Sequence, residues 1–406
     1  MSKSDSRLPP GQPDDLRGLH SLWTHGSHGL IDLIEAMHAR IAFGDTGAHR
    51  TRGITGLVYN GVRSINQAVS HGIHLALRQM APTALGSEPT RSAVIAALNG
   101  VLGDHLTETG NPLAIPMTLV YRGQPIEPRQ ADLADALAVP GGKVLLLIHG
   151  LCMNDQGWLR NGHDHGAALA DAMGYTPLYL RYNTGQHISI NGRALAGLLD
   201  RLVAEWPAPV ESLTLLCHSM GGLVARSACH YGLVENHHWP RQLKAAILLA
   251  TPHHGAPAER AGNLVDGILS ASSYSAPLSR LGKIRSAGIT DLRHGNIVDE
   301  DWQGRNRFSV RLEDPRTIVP LPETIAWFAM AATRKKDVAP ESWFSGDGIV
   351  PLASALGDHR DQRRSLNIPP DRRWVGCEMN HFDLLDRPEA FAQIKRWLQS
   401  VESGGD

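Results

Sequence analysis

A serine set among small residues marks where nucleophilic chemistry could be done in this chain. Leu213 to Arg226 reads L-T-L-L-C-H-S-M-G-G-L-V-A-R, an apolar run of strand type that turns at Ser219 into a helix-forming segment. A sharp strand-to-helix turn holds a serine Oγ clear of the backbone, and the helix N-terminus behind it favours developing negative charge. Such a turn brings neighbouring chain close, so the positions two before and two after the serine must be small. Gly221 meets that demand and Gly222 extends it. Cys217 stands where the strict G-x-S-x-G pattern has its first glycine, with His218 between it and the serine.

An alcohol at neutral pH is a poor nucleophile, so Ser219 needs a base, and the base needs an acid to orient it. On a turn of this kind the order along the chain is serine, acid, histidine. Asp347 in S-G-D-G-I-V-P and His381 in E-M-N-H-F-D follow Ser219 in that order. Each has a bland reading beside it: S-G-D-G as a plain β-turn, His381 as a surface or core residue. Asp358 with His359 is the competing pair, too close to Asp347 to belong to the final strand, and Asp383 follows the histidine and breaks the order. Acyl transfer also needs two donors aimed at the tetrahedral oxyanion. The backbone N–H of Met220 is one candidate. The other is the N–H of Leu151, in His149-Gly150-Leu151 directly after the apolar run L-L-L-I.

Three further clusters carry weaker signals. Thr251-Pro252-His253-His254-Gly255 reads equally as a pocket wall and as a structural turn. His163-Asp164-His165 and His237-His238 could face a metal, but neither has a matching second ligand pair, so solvated loop histidines are the reading and no metal or cofactor is expected.

The elements that must position these residues come in a regular order. Lys143 to Ile148 is a continuous apolar run, as a central parallel strand buried on both faces requires. Strands are expected at 117–121, 177–182, 213–217, 245–249, 324–330 and 373–377, and helices at about 167–173, 191–206, 221–231 and 388–401. Strands alternating with helices make this an α/β chain with a mostly parallel, doubly wound sheet over about residues 116–406. Regularity is lost between Gly255 and about Pro322. The expectation there is a cap, residues 256–322, lying over Ser219 with Leu264, Ile268 and Leu278 facing the pocket. Residues 1–115 read as a separate helical region, polar and disordered over 1–15, with a last helix at 90–105. Its apolar stripes are expected to pack on the following domain; the alternative is peripheral contact of these helices or of the cap with a lipid surface.

Composition narrows the function classes. The formal net charge of the 406 residues is −1, with no long basic run, so nothing marks a nucleic-acid partner. The start, M-S-K-S-D-S-R-L-P-P, lacks the apolar core of a signal peptide, and no apolar run approaches the ~20 residues of a bilayer span. The four cysteines have no metal-type spacing and read as free thiols. A cytoplasmic protein is the expectation; oligomeric state is not readable.

Taken together, H-G at 149–150, H-S-M-G-G-L-V-A-R at 218–226, T-P-H-H-G at 251–255, G-D-G-I-V-P at 346–351 and N-H at 380–381 resemble the α/β-hydrolases. Within that superfamily the chain is similar to bacterial triacylglycerol lipases and esterases, and to lipase-like proteins related to the GPI inositol-deacylase group. The likeness covers roughly 117–401. It implies a Ser219, Asp347, His381 triad, Leu151 and Met220 as oxyanion donors, and cofactor-free hydrolysis of a small-molecule or lipid ester. Acyl transfer, polyester depolymerisation and a silent binding protein are the alternatives on the same fold.

Overall fold

The structure, a computed structural model, describes residues 88–137, 140–255, 286–305, 314–338 and 346–404. The chain divides into two compact units, one of residues 1–91 with 105–114, the other of 92–104 with 115–406. Helix α1, Glu88–Glu108, belongs to both. In the first unit the helix ends in a turn where Asn111 N–H donates to the Leu106 carbonyl at 2.8 Å. The expected helices before residue 88 lie outside the described residues.

The second unit is built on one eight-stranded sheet. Its strands are β1 (Thr118–Tyr121), β2 (Gln124–Ile126), β3 (Lys143–Ile148), β4 (Thr176–Arg181), β5 (Ser212–His218), β6 (Leu243–Leu249), β7 (Ala326–Thr333) and β8 (Arg373–Cys377). The spatial order is β2-β1-β4-β3-β5-β6-β7-β8, with β1 antiparallel to both neighbours and every other pairing parallel. After β3 the chain steps to β4 on one side, and β5 returns on the other. The loops at the carboxyl ends of β3 and β5 therefore diverge and leave a crevice, the usual place for a site in an open α/β sheet.

The apolar runs bury both faces of this sheet. Leu146, Ile148, Leu215 and Cys217 enter one core, and Leu145, Leu147, Leu216 and Ile247 the other, as the two-residue period of a strand demands. Helices α2 (Gln130–Leu137), α4 (Ile188–Glu205) and α5 (Met220–Val234) cover the first face. Helices α3 (His165–Met173) and α8 (Pro388–Ser403) cover the second. β3 and β8 have the bounds their sequence gives them. β2 and α2 escape a sequence reading because β2 has three residues, one a proline, and α2 buries only Leu133 and Leu137.

The described parts of the region expected to be a cap pack beside α4 and α5. Helix α6 (Ala287–His294) is capped by Ser286, whose Oγ accepts from Ile289 N–H. Asp291 Oδ2 accepts from Ile188 N–H at 3.0 Å, Trp302 Nε1 donates to Ser189 Oγ at 2.9 Å, and Tyr231 Oη accepts from Asp299 N–H at 2.9 Å. Leu264, Ile268 and Leu278 lie outside the described residues. Helix α7 (Leu352–Leu356) follows the Asp347 turn.

Residues 92–104 of α1 are tied to the loops after β3 and β4. Asn154 Nδ2 donates to Ser92 Oγ at 2.7 Å, and Asn183 Nδ2 to the Gly103 carbonyl at 2.8 Å. A Cβ on Gly185 would stand far inside van der Waals contact of the Asn99 carbonyl oxygen and 2.6 Å from Gly103 N. The helix and the loop thus meet backbone to backbone. Gly185→Ala should force them apart and lower the unfolding free energy by about 1–3 kcal/mol. Chemical denaturation reads this directly, and an unchanged midpoint would mean that the helix does not rest there.

Candidate active site

β5 ends in the turn that its sequence foretells. Ser219 has φ 53° and ψ −120°, positive φ for a residue that carries a side chain, and α5 begins at Met220. A non-glycine residue persists in that conformation only where its surroundings hold it. Three contacts do so. Ser219 N–H donates to the Leu249 carbonyl at 2.8 Å, extending the β5–β6 ladder through the turn. A Cβ on Gly221 would strike the Ile148 carbonyl oxygen and lie 2.8 Å from that of His149. A Cβ on Gly150 would lie 3.0 Å from Ser219 Cβ. Gly222 likewise leaves room for Thr251, whose Cγ2 would be 2.7 Å from an added Cβ.

Cys217 is fully buried directly under this turn, paired in register with Ile148 of β3. Burial pushes its thiol well above the usual range. It acts as a small apolar side chain that fits where a glycine is usual.

Asp347 and His381 are placed by the last two strands. Asp347 sits in a turn closed by the Gly346–Pro351 bridge. Its Oδ1 accepts from Ile349 N–H at 2.8 Å and Val350 N–H at 2.7 Å, while Oδ2 lies 2.7 Å from His381 Nδ1. With the carboxylate ionised, Nδ1 must carry the proton and Nε2 presents its lone pair. His381 Nε2 and Ser219 Oγ are both buried and neither has a hydrogen-bond partner among the described residues. The competing acids are committed elsewhere. Asp358 pairs with Arg373 at 2.8 Å, and Asp383 Oδ2 accepts from Asn380 N–H at 2.7 Å. His359 contacts Asp361 and Ser365.

Neutral imidazoles surround the pair. The His218 ring lies 4.7 Å from that of His381 and its Nε2 is 3.2 Å from the His381 carbonyl oxygen. His149 stacks on Tyr182 at 4.5 Å, and the Tyr182 hydroxyl donates to the His149 carbonyl at 2.8 Å. That hydroxyl fixes the loop carrying Gly150 and the buried Leu151. Nothing in the sequence singles out Tyr182 beyond its place at a strand end. A cavity of about 680 Å³ opens beside Asp347 and His381, lined also by Met379 and Phe382 together with Arg160 and Arg334.

The other histidine clusters resolve into packing. His163 Nε2 and His165 Nδ1 are 2.8 Å apart and His165 Nε2 faces the Leu384 carbonyl; His237 pairs with Glu235. Contrary to the reading of solvated loops, His165 is fully buried, because it closes the start of α3 against the Leu384 turn. No group of three or more His, Cys, Asp or Glu among the described residues could hold a metal ion. Among the same residues no helix is long and apolar enough to cross a membrane.

Residues 140–329 match the family model of the PGAP1-like alpha/beta domain. Among solved structures, the mature lipase BlEst2 of Bacillus licheniformis is similar at 17% identity and a TM-score of 0.41, over 70% of this chain and 98% of that one. A malate-bound thermophilic esterase of Thermogutta terrifontis is similar at 14% identity and 0.39, over 71% and 93%. An esterase of Pyrococcus furiosus is similar at 11% identity and 0.38, over 64% and 82%. No curated protein sequence matches. The sheet order, with its reversed first strand, and the elbow after β5 give the chain the α/β-hydrolase fold.

Two outcomes follow from this geometry. Cys217→Ala should keep most activity, whereas Cys217→Leu should overpack the turn at about 1–3 kcal/mol; loss of activity with iodoacetamide in wild type but not in Cys217→Ala would show a reactive thiol instead. The second concerns pH. Burial lowers His149 and His165 from the usual 6.5 to about 4. Between those values the unfolded chain binds protons that the folded chain refuses, so this stability is full above pH 6.5 and is lost as pH falls towards 4. Each contributes on the order of 3 kcal/mol over that window. Urea midpoints at a series of pH values test it, and a flat profile from neutral down to the lower value would refute the buried neutral state.

Proposed function

We propose that this protein is a serine carboxylester hydrolase acting on an acyl or lipid-like ester. The observation that carries the reading is the buried 2.7 Å contact of Asp347 Oδ2 with His381 Nδ1, in a protein where Ser219, at positive φ, opens a helix at the crevice of the sheet. Ser219 Oγ attacks the ester carbonyl while His381 Nε2 takes its proton. Asp347 holds the imidazole in the tautomer that can do so and stabilises the imidazolium that forms. The negative charge on the tetrahedral intermediate meets the backbone N–H groups of Leu151 and Met220 and the positive end of α5. Collapse expels the alcohol, protonated by His381. Water, deprotonated by the same nitrogen, then releases the acid and restores Ser219.

Burial supports this division of labour. Ser219 is 2% exposed and His381 and Asp347 are each 1% exposed, so the charges that develop are poorly screened by solvent. The substrate class is an acyl or lipid-like ester; its chain length follows from a p-nitrophenyl ester series from acetate to palmitate.

Ser219→Ala should lower kcat on an activated ester by roughly a thousandfold or more with the circular dichroism unchanged. A fluorophosphonate probe should label wild type at Ser219 and fail to label the variant. Asp347→Asn should be severely impaired, and Asp358→Asn and Asp383→Asn should not. Retained turnover in Ser219→Ala, or greater damage from either of the other two aspartates, defeats the assignment.

A further inference from the structure

A second cavity, about 420 Å³ in volume, has none of Ser219, Asp347 or His381 in its walls. Its buried cation is Arg226, on α5 seven residues after the serine and so about 10 Å further along the helix axis. Arg226 is 6% exposed. Its Nη2 donates to the Val319 carbonyl at 3.1 Å and its Nη1 lies 3.3 Å from His253 Nδ1. Neither partner is an anion. Its Nε, like His253 Nε2, is buried without a hydrogen-bond partner among the described residues.

Three other arginines of the cavity face carboxylates: Arg316 is bidentate to Asp314 at 2.8 and 2.6 Å, Arg363 pairs with Asp361 at 2.7 Å, and Arg364 Nε lies 3.7 Å from Asp314 Oδ2. Arg372 lies over the Phe328 ring. Burial and the facing Arg316 push the Arg226 guanidinium down to about 10. A buried charge with no ion pair is costly to keep, and proteins normally pair it. Here an anion is the missing partner. Ile325, Trp327 and Ile368 form an apolar part of its wall.

We propose that this cavity is a ligand site, distinct from the serine centre, for an amphiphile with an oxyanionic head, carboxylate or phosphate. The head is held by Arg226 Nε and the apolar body lies along Ile325, Trp327 and Ile368. A bare anion leaves that wall wet, and a neutral alcohol leaves Arg226 unpaired, so neither satisfies the site. The proposal does not depend on catalysis at Ser219.

The test uses the full chain and calorimetric titration with octanoate and octyl phosphate below their micellar concentrations, and with octanol and inorganic phosphate as comparators. At least one amphiphilic anion should bind, more tightly than either comparator, and the better of the two identifies the head. Ser219→Ala should bind as wild type does. Arg226→Met should lose roughly tenfold or more in affinity, and Arg226→Lys should lose less. No binding of either anion, equal binding of octanol, or unchanged affinity in a folded Arg226→Met would overturn the site. If Arg226→Met does not fold, a crystal structure of wild type with octyl phosphate decides: its phosphate lies on Arg226, or the proposal fails.

Discussion

The site depends on holding one residue, Ser219, at a positive φ that its side chain disfavours. No single contact does this. The turn is gripped from the β6 side by the Ser219 N–H to Leu249 carbonyl bond, and from the β3 side by the carbonyls that close on Gly221. Both grips exist because β3, β5 and β6 run parallel and in register, Ile148 beside Cys217 and His218 beside Leu249. Such strain costs of order 1–3 kcal/mol. The cost is met by two buried sheet faces, and the sheet has its most buried strands where the turn stands. The same closeness demands glycine at 150 and 221.

The acid is held by a different logic. Asp347 is both the carboxylate facing His381 and the cap of its own turn, since Oδ1 takes two backbone N–H groups while Oδ2 is left for the imidazole. The S-G-D-G segment is open to the reading of a plain β-turn; residues 346–351 do form a turn, and its aspartate also faces His381. The Arg334 guanidinium adds a donor to the Asp347 carbonyl at 3.0 Å, tying the turn to the end of β7.

What the sequence makes legible follows from where the physics is local. β3 and β8 can be bounded to the residue because their apolar or β-branched runs are cut off by glycine, proline or polar residues. The order serine, acid, histidine is a chain property, and it picks Asp347 over Asp383 without coordinates. Tyr182, Arg226 and His253 are not legible, because what matters in each is a partner distant in sequence: the His149 carbonyl, Val319, and Arg226 itself. Thr251 to Gly255 was open between pocket wall and turn. It forms a turn, His253 N–H to the Thr251 carbonyl at 2.9 Å, and also a wall, of the arginine cavity and not of the cavity beside His381.

The histidines around His381 bear on why so many imidazoles can crowd one site. In the acyl transfer we propose, His381 becomes a cation, and a second cation at the 4.7 Å of the His218 ring would oppose it strongly in a buried setting. Desolvation keeps His218 well below its ordinary range, and lowers His149 as well. Both rings therefore stay neutral at neutral pH. They fill space, stack and meet backbone carbonyls, and His381 has the Asp347 carboxylate 2.7 Å from its Nδ1.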